Sequence, residues 1–167
     1  MKIFGKTISD YIKFERVFLI LVLVVGLTRL VLSLLGVANS MDKFLSLTVL
    51  MLLGLVYYSV RVYTSGFGAY KQLLPVLVLQ WLVSQAIVIA GIVIAILTVK
   101  DNIFSSPEYS PNKADGRTWA HVGAHLLVIV ALPIAFWLIG SVIMFFTKLV
   151  TKKTAGGGQQ RTGTAGA

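Results

Sequence analysis

Apolar residues along this chain are gathered into four long runs separated by shorter polar stretches. The first run, Val17 to Val37, reads VFLILVLVVGLTRLVLSLLGV and is long enough to cross a bilayer as a helix. Three further runs cover residues 44–63, 73–99 and 121–147. The pattern predicts an all-α integral membrane protein, a four-helix transmembrane bundle occupying residues 17–150. Because the links between most runs are short, consecutive helices are expected to be antiparallel neighbours.

Residues 1–16, which precede the first run, mix charged and apolar side chains. Four apolar residues recur there at helical spacing: Phe4, Ile8, Tyr11 and Ile12. Thr7 and Asp10 have the spacing of a capping box at a helix start. The segment predicts a short interfacial amphipathic helix on the cytoplasmic membrane surface. An ordinary basic flank that happens to be helical fits the same residues equally well.

Two further polar segments lie between and after the apolar runs. Residues 100–120 contain Pro107 and Pro111, which break helices, and they predict an aqueous outer loop. Residues 151–167 end in the low-complexity stretch AGGGQQRTGTAGA, which predicts a disordered cytoplasmic tail.

The basic residues are distributed unequally between the two sides that four spans would create. The side holding both termini carries ten of them: Lys2, Lys6, Lys13, Arg16, Arg61, Lys71, Lys148, Lys152, Lys153 and Arg161. The other side carries four: Lys43, Lys100, Lys113 and Arg117. This asymmetry predicts cytoplasmic N and C termini, in what we expect to be a bacterial inner membrane. A cleaved signal peptide is disfavoured because the first run is too long and contains Arg29.

Composition removes several classes of function. The net charge of +9 resides at the ends of apolar runs, so it favours contact with the lipid bilayer over nucleic-acid binding. The chain has no cysteine, which excludes disulfides, thiolate metal sites and cysteine nucleophiles. Because it also lacks a phosphate-binding loop and other catalytic motifs, we expect a protein that is not an enzyme and carries no cofactor.

Polar side chains inside the runs predict two layers. Arg29 and Gln85 each lie twelve residues from the start of their runs, so the helical rise puts both roughly 18 Å from the inner boundary. The same count places Gln80 level with Tyr57 and Tyr58. Since the runs contain no Asp or Glu, Arg29 would lack a carboxylate partner at its own depth. It would then either extend outward toward Asp42 and the head groups or serve a ligand.

His121 and His125 are four residues apart and therefore project from one face of the fourth helix. Two imidazoles at this spacing can converge on a metal ion, with Asp115 or Glu108 as further ligands. Histidines beside Trp119 at a helix end are also typical of interfacial residues, which is the interpretation we favour. We therefore predict no metal site. If a metal does bind, His121 and His125 are the candidate ligands.

Three hypotheses for function follow from these residues. The first is a non-enzymatic accessory or assembly subunit that contacts a membrane-protein partner or forms a homo-oligomer. The second is a small carrier or ligand-binding bundle in which Arg29, Gln80 and Gln85 recognise an anionic or polar solute. The third is a metal or redox subunit that uses His121 and His125.

Overall fold

The computed structural model describes residues 2–37, 46–106 and 115–157, with backbone alone for residues 152–157. It contains four helices in these ranges: α1 Ile8–Leu34, α2 Leu47–Thr64, α3 Tyr70–Thr98 and α4 Trp119–Gly157. All four are long and apolar enough to cross a membrane. The prediction of an all-α protein of four packed apolar helices is confirmed, and the chain is a multi-pass membrane protein set in a lipid bilayer.

The start of α1 differs from the prediction. The helix begins at Ile8, so residues 8–16 continue into the span and do not form a separate amphipathic helix. The predicted capping box is present: the Thr7 hydroxyl accepts from the Asp10 amide at 3.2 Å, and the Asp10 carboxylate accepts from the Thr7 amide at 2.7 Å. The box therefore starts the spanning helix itself.

A small hairpin precedes α1. Its strands, β1 Lys2–Ile3 and β2 Lys6–Thr7, pair antiparallel around a turn at Phe4 and Gly5, which both have positive φ. Such a turn matches the right-handed twist of two short strands. Gln72, in the first turn of α3, donates to the Phe4 carbonyl at 2.9 Å. This bond ties the hairpin to the bundle end at which α1 and α3 begin, called here the hairpin end.

Helix α3 is the centre of the bundle and packs most extensively on α4 and then on α1. Helix α1 packs more on α3 than on α2, its neighbour in sequence. Adjacency in sequence therefore does not determine which helices pack most extensively. Glycines allow the close approach of α1 and α3. A Cβ on Gly26 would lie 2.7 Å from Ile87 Cδ1, and one on Gly91 would lie 3.3 Å from Leu30 Cδ1.

The opposite end of the bundle is closed by the chain that follows α3. Asn102, Ile103 and Ser105 are buried there, because the Asn102 amide donates to the Gly91 carbonyl at 2.6 Å and turns the segment back against α3. The prediction that residues 100–120 are wholly aqueous is therefore wrong for residues 102–105. Several predicted features lie outside the described residues: Asp42, Lys43, Pro107, Glu108, Pro111, Lys113 and the tail from residue 158.

Candidate functional site

A polar cavity of about 440 Å³ opens between the helices at the end opposite the hairpin. Its polar lining consists of Arg29, Ser46, Thr48, Ser84, Gln85, His121 and His125. Its apolar lining includes Met51, Trp81, Val88, Ile103 and Phe104. All four helices and the segment after α3 contribute, so this cavity exists only in the assembled bundle.

Arg29 approaches the cavity from α1. The two glycine contacts pair each α1 residue with the α3 residue 61 positions later, which puts Arg29 level with Ala90. Arg29 therefore lies five residues beyond the level of Gln85, or about 7 Å, and the prediction that they share one level is wrong by that amount. Helical side chains lean toward the N-terminus of their helix, so the long arginine side chain can span this offset.

The charge of Arg29 has no carboxylate partner within residues 2–37, 46–106 and 115–151. Its Nε atom is buried and lacks a hydrogen-bond acceptor in the same part of the chain. A buried polar atom without a partner is costly, and here it belongs to a side chain on a cavity wall. The Arg29 side chain therefore lines the cavity, and the choice between a ligand role and outward extension stays a prediction.

Trp81 and Ser84 stand on the α3 side of the cavity. Trp81 is only 7% exposed, and its ring packs edge-on against Phe136 at a centroid distance of 5.2 Å. The indole Nε1 is buried and finds no acceptor among the described residues. Trp81 therefore contributes its ring to the cavity wall, and its buried indole nitrogen is an unpaired donor inside the bundle.

The two histidines form a chain of polar contacts across the same cavity. His121 Nδ1 lies 2.8 Å from the Gly116 carbonyl oxygen, and His125 Nδ1 lies 2.6 Å from Gln85 Oε1. The two Nε2 atoms face each other at 3.2 Å. The predicted same-face placement is therefore observed, and the histidine pair and Gln85 belong to one site.

The described residues between α3 and α4, 101–106 and 115–118, border the His121 side of the cavity and are called here the lid. A Cβ on Gly116 would lie only 2.3 Å from the Ser105 carbonyl oxygen, so residues on either side of the undescribed stretch 107–114 touch there. Arg117 adds a bond to the Val99 carbonyl at 3.1 Å and an ion pair with Asp101 at 3.4 Å. These contacts hold the Gly116 carbonyl in place beside His121 Nδ1.

Asp115 does not join the histidines as a metal ligand. Its carboxylate pairs with the Arg117 guanidinium at 3.0 Å. The hydrogen bonds from Arg117 hold the pKa of the Asp115 carboxyl below its usual range. Glu108, the other suggested ligand, lies outside the described residues, and within them no three His, Asp or Glu side chains cluster.

In the second predicted layer, Gln80 and Tyr58 are buried and Tyr57 is exposed. Gln80 is buried away from the cavity and donates to Glu15 Oε2 at 3.0 Å. Tyr58 is buried and packs edge-on against Phe18, whereas Tyr57 is 52% exposed and its hydroxyl accepts from Arg61 at 2.7 Å. Tyr57 therefore lies on the bundle surface, and its depth in the layer stays a prediction.

Glu15 is the functional candidate that the sequence pattern missed. It lies within α1, which begins before the predicted span, so the bundle buries an acid that the predicted spans do not contain. Its side chain is 0% exposed, and its Oε1, like Gln80 Oε1, has no partner in the described chain. Helical spacing could have revealed the burial of Glu15 from the sequence, because this residue falls on one helix face with the buried residues Tyr11, Leu19 and Val22.

The fold and the cavity together define a polytopic all-α membrane protein with a polar cavity between its helices. Comparisons of the chain with protein-family models, with curated proteins and with solved structures find no match.

Proposed function

We propose that the protein is a non-enzymatic binding protein or carrier for a small organic carboxylate, held in the cavity by Arg29. The supporting observation is the Arg29 side chain on the cavity wall, with no carboxylate partner in the described residues and a buried, unpaired Nε. Intramembrane arginines are costly and usually serve a ligand, an ion path or a structural partner. A carboxylate would supply the missing negative charge beside the guanidinium.

The cavity lining supports a ligand with an apolar body as well as an acidic group. Its volume of about 440 Å³ falls in the range typical of small-molecule sites. The Ser84 hydroxyl offers a donor beside Arg29, whereas the Trp81 ring, Ile103 and Phe104 offer apolar contact. A small aliphatic carboxylate fits this division of donors and hydrocarbon, and hexanoate represents this class in the test.

Orientation and membrane identity are part of the proposal. The excess of basic residues on the side of both termini supports cytoplasmic termini in a bacterial inner membrane. In that orientation the hairpin end faces the cytoplasm and the cavity lies in the outer half of the bundle. The solute would then enter from the outer side, past the lid formed by residues 101–106 and 115–118.

The accessory-subunit hypothesis remains a prediction. One observation favours a helix partner: Ala86 and Ala90, spaced by four, are exposed on α3, while Gly91 and Ala95 are buried within the bundle. Small residues on an exposed face allow another helix to approach closely. A stable stoichiometric partner from native membranes would support this hypothesis.

The test is calorimetric binding of hexanoate, with hexanamide as the neutral counterpart, to tag-free protein in nanodiscs. We expect hexanoate alone to bind, and Arg29→Gln to weaken its binding at least tenfold, since hydrogen bonds to charged groups contribute about 1.5–3 kcal/mol. Arg61→Gln is the matched control, because Arg61 lies at the other end of the bundle and bonds to Tyr57. Equal hexanoate binding by wild type and Arg29→Gln would overturn the proposal, as would no hexanoate binding by wild type.

A further inference from the structure

We propose that His121 and His125 form a two-histidine site for a divalent transition metal, best suited to Zn²⁺, on the cavity wall. The inference does not depend on the carboxylate, because it rests on a different observation: the ring nitrogens that face each other. It concerns four side-chain or backbone groups, those of His121, His125, Gln85 and Gly116.

Hydrogen bonding decides which ring nitrogens carry protons. His121 Nδ1 lies 2.8 Å from a carbonyl oxygen, which can only accept, so Nδ1 is the protonated nitrogen of that ring. His125 Nδ1 lies 2.6 Å from Gln85 Oε1, a separation that fits a ring N–H donating to an amide oxygen. In neutral imidazole only one nitrogen bears hydrogen, so each Nε2 then carries a lone pair.

Those two lone pairs face each other across a short gap. The Nε2 atoms are 3.2 Å apart, and two lone pairs at that separation repel unless a cation lies between them. Zinc binds histidine nitrogen at about 2.0–2.1 Å in tetrahedral geometry, which puts two ligand nitrogens about 3.3 Å from each other. The gap between His121 and His125 therefore has the width that two zinc ligands require.

The outer partners of both rings match those of metal-bound histidines. Such histidines almost always donate their second ring N–H to a carboxylate, a carbonyl or water, which fixes the tautomer and the ring orientation. Here the Gly116 carbonyl fills that role for His121 and the Gln85 amide oxygen fills it for His125. The His121 partner is held in turn by the packing of Gly116 on Ser105.

The remaining coordination positions face the cavity. Both histidines line it, and no third His, Asp or Glu side chain within the described residues completes the set. Water would occupy the open positions, as at zinc sites that keep exchangeable ligands. A two-ligand site of this kind binds metal through the imidazoles alone, so loss of either ring should be severe.

The experiment is Zn²⁺ titration of chelator-treated, tag-free protein in nanodiscs, followed by calorimetry. The sequence has no other histidine and no cysteine, so competing side-chain ligands are few. We expect one Zn²⁺ per chain, with His121→Ala and His125→Ala each weakening binding at least tenfold. Arg61→Gln, at the other end of the bundle, is the control that should bind Zn²⁺ as wild type does. Arg29→Gln keeps both imidazoles and removes a cation from the cavity, so its Zn²⁺ binding should be retained or tightened, which separates failure of this proposal from failure of carboxylate binding.

A second pair of variants tests the hydrogen-bond assignment. Gln85→Glu places a carboxylate against His125 Nδ1–H and should tighten Zn²⁺ binding, whereas Gln85→Leu should weaken it. If instead the amide nitrogen of Gln85 donates to His125, the two neutral rings form a chain of hydrogen bonds. The affinity for Zn²⁺ would then be the same in the wild type and in the His121→Ala/His125→Ala double variant. That result, or a proton shared between the Nε2 atoms in nitrogen NMR without any response to Zn²⁺, would overturn the proposal.

Discussion

Glu15 shows how a single residue inside a span is accommodated. Its carboxyl is fully buried among apolar side chains and receives one hydrogen bond, from Gln80, while one oxygen on each partner is left unpaired. Two buried acceptors without a donor are costly within the described residues. The pair would therefore gain from a donor at position 15.

Glu15→Gln supplies that donor, since an amide both donates and accepts. We expect the variant to keep or raise the midpoint of thermal unfolding in detergent. Glu15→Ala removes the partner of Gln80 and should lower the free energy of unfolding by about 1–3 kcal/mol. Equal destabilisation by the two variants would mean that the carboxyl itself is required in the fold.

Arg29 and the histidines show what residue types can and cannot predict. Their chemistry is evident from the sequence, because an intramembrane arginine and two histidines four apart are rare enough to single out. Their meeting in one cavity could not be predicted from helical rise alone. It depends on the inward fold of residues 102–105, which lets α4 start close to the level of Gln85.

At the scale of elements, glycines set where helices and the lid can touch. A Cβ on Gly91 would lie 2.6 Å from Phe104 Cδ2, so the hydrogen at that position lets the lid ring settle on α3. Gly123 on α4 has no atom within 4 Å of such a Cβ. Alanine substitutions at Gly91 and Gly123 therefore form a matched pair.

Gly91→Ala should displace Phe104 and loosen the lid, at a cost of about 1–3 kcal/mol in the free energy of unfolding. Gly123→Ala should be neutral or stabilising by up to about 1 kcal/mol, because alanine favours the helix. Hydrogen exchange at residues 102–105 reports on the lid directly. Equal exchange in both variants would show that Phe104 does not depend on the small residue beneath it.

The number of long helices was predictable because hydropathy and length alone specify a membrane span. Their ends were less so: the first span was expected at Val17, yet apolar and polar residues from Ile8 onward continue the same helix. A polar flank and an extension of the helix have similar compositions. The β1–β2 hairpin was missed because strands of two residues leave almost no periodic pattern.

For the whole molecule, the two ends of the bundle differ in chemistry. The hairpin end is rich in cations that sit over aromatic rings, such as Lys148 over Tyr70 at 3.9 Å and Lys6 over Phe67 at 4.8 Å. The opposite end holds the cavity, the histidines and the lid. This contrast agrees with basic residues facing the cytoplasm in the proposed orientation.

Topology can be tested by cysteine labelling, since the chain has no native cysteine. In intact cells we expect Ser106→Cys to react with a membrane-impermeant maleimide and Ser65→Cys to react only after the membrane is opened. Ser65 follows α2 at the hairpin end, and Ser106 follows α3 at the other end. Labelling of both residues from outside would contradict the orientation.

The central claim is that a carboxylate occupies the cavity between Arg29 and Trp81. The most direct measurement is quenching of tryptophan fluorescence by 2-bromohexanoate, whose bromine lies beside the carboxylate and quenches only at close range. We predict saturable quenching in the wild type and in Arg61→Gln, and its loss in Trp81→Phe and in Arg29→Gln. Saturable quenching that survives both the Trp81 and the Arg29 substitutions would contradict the account.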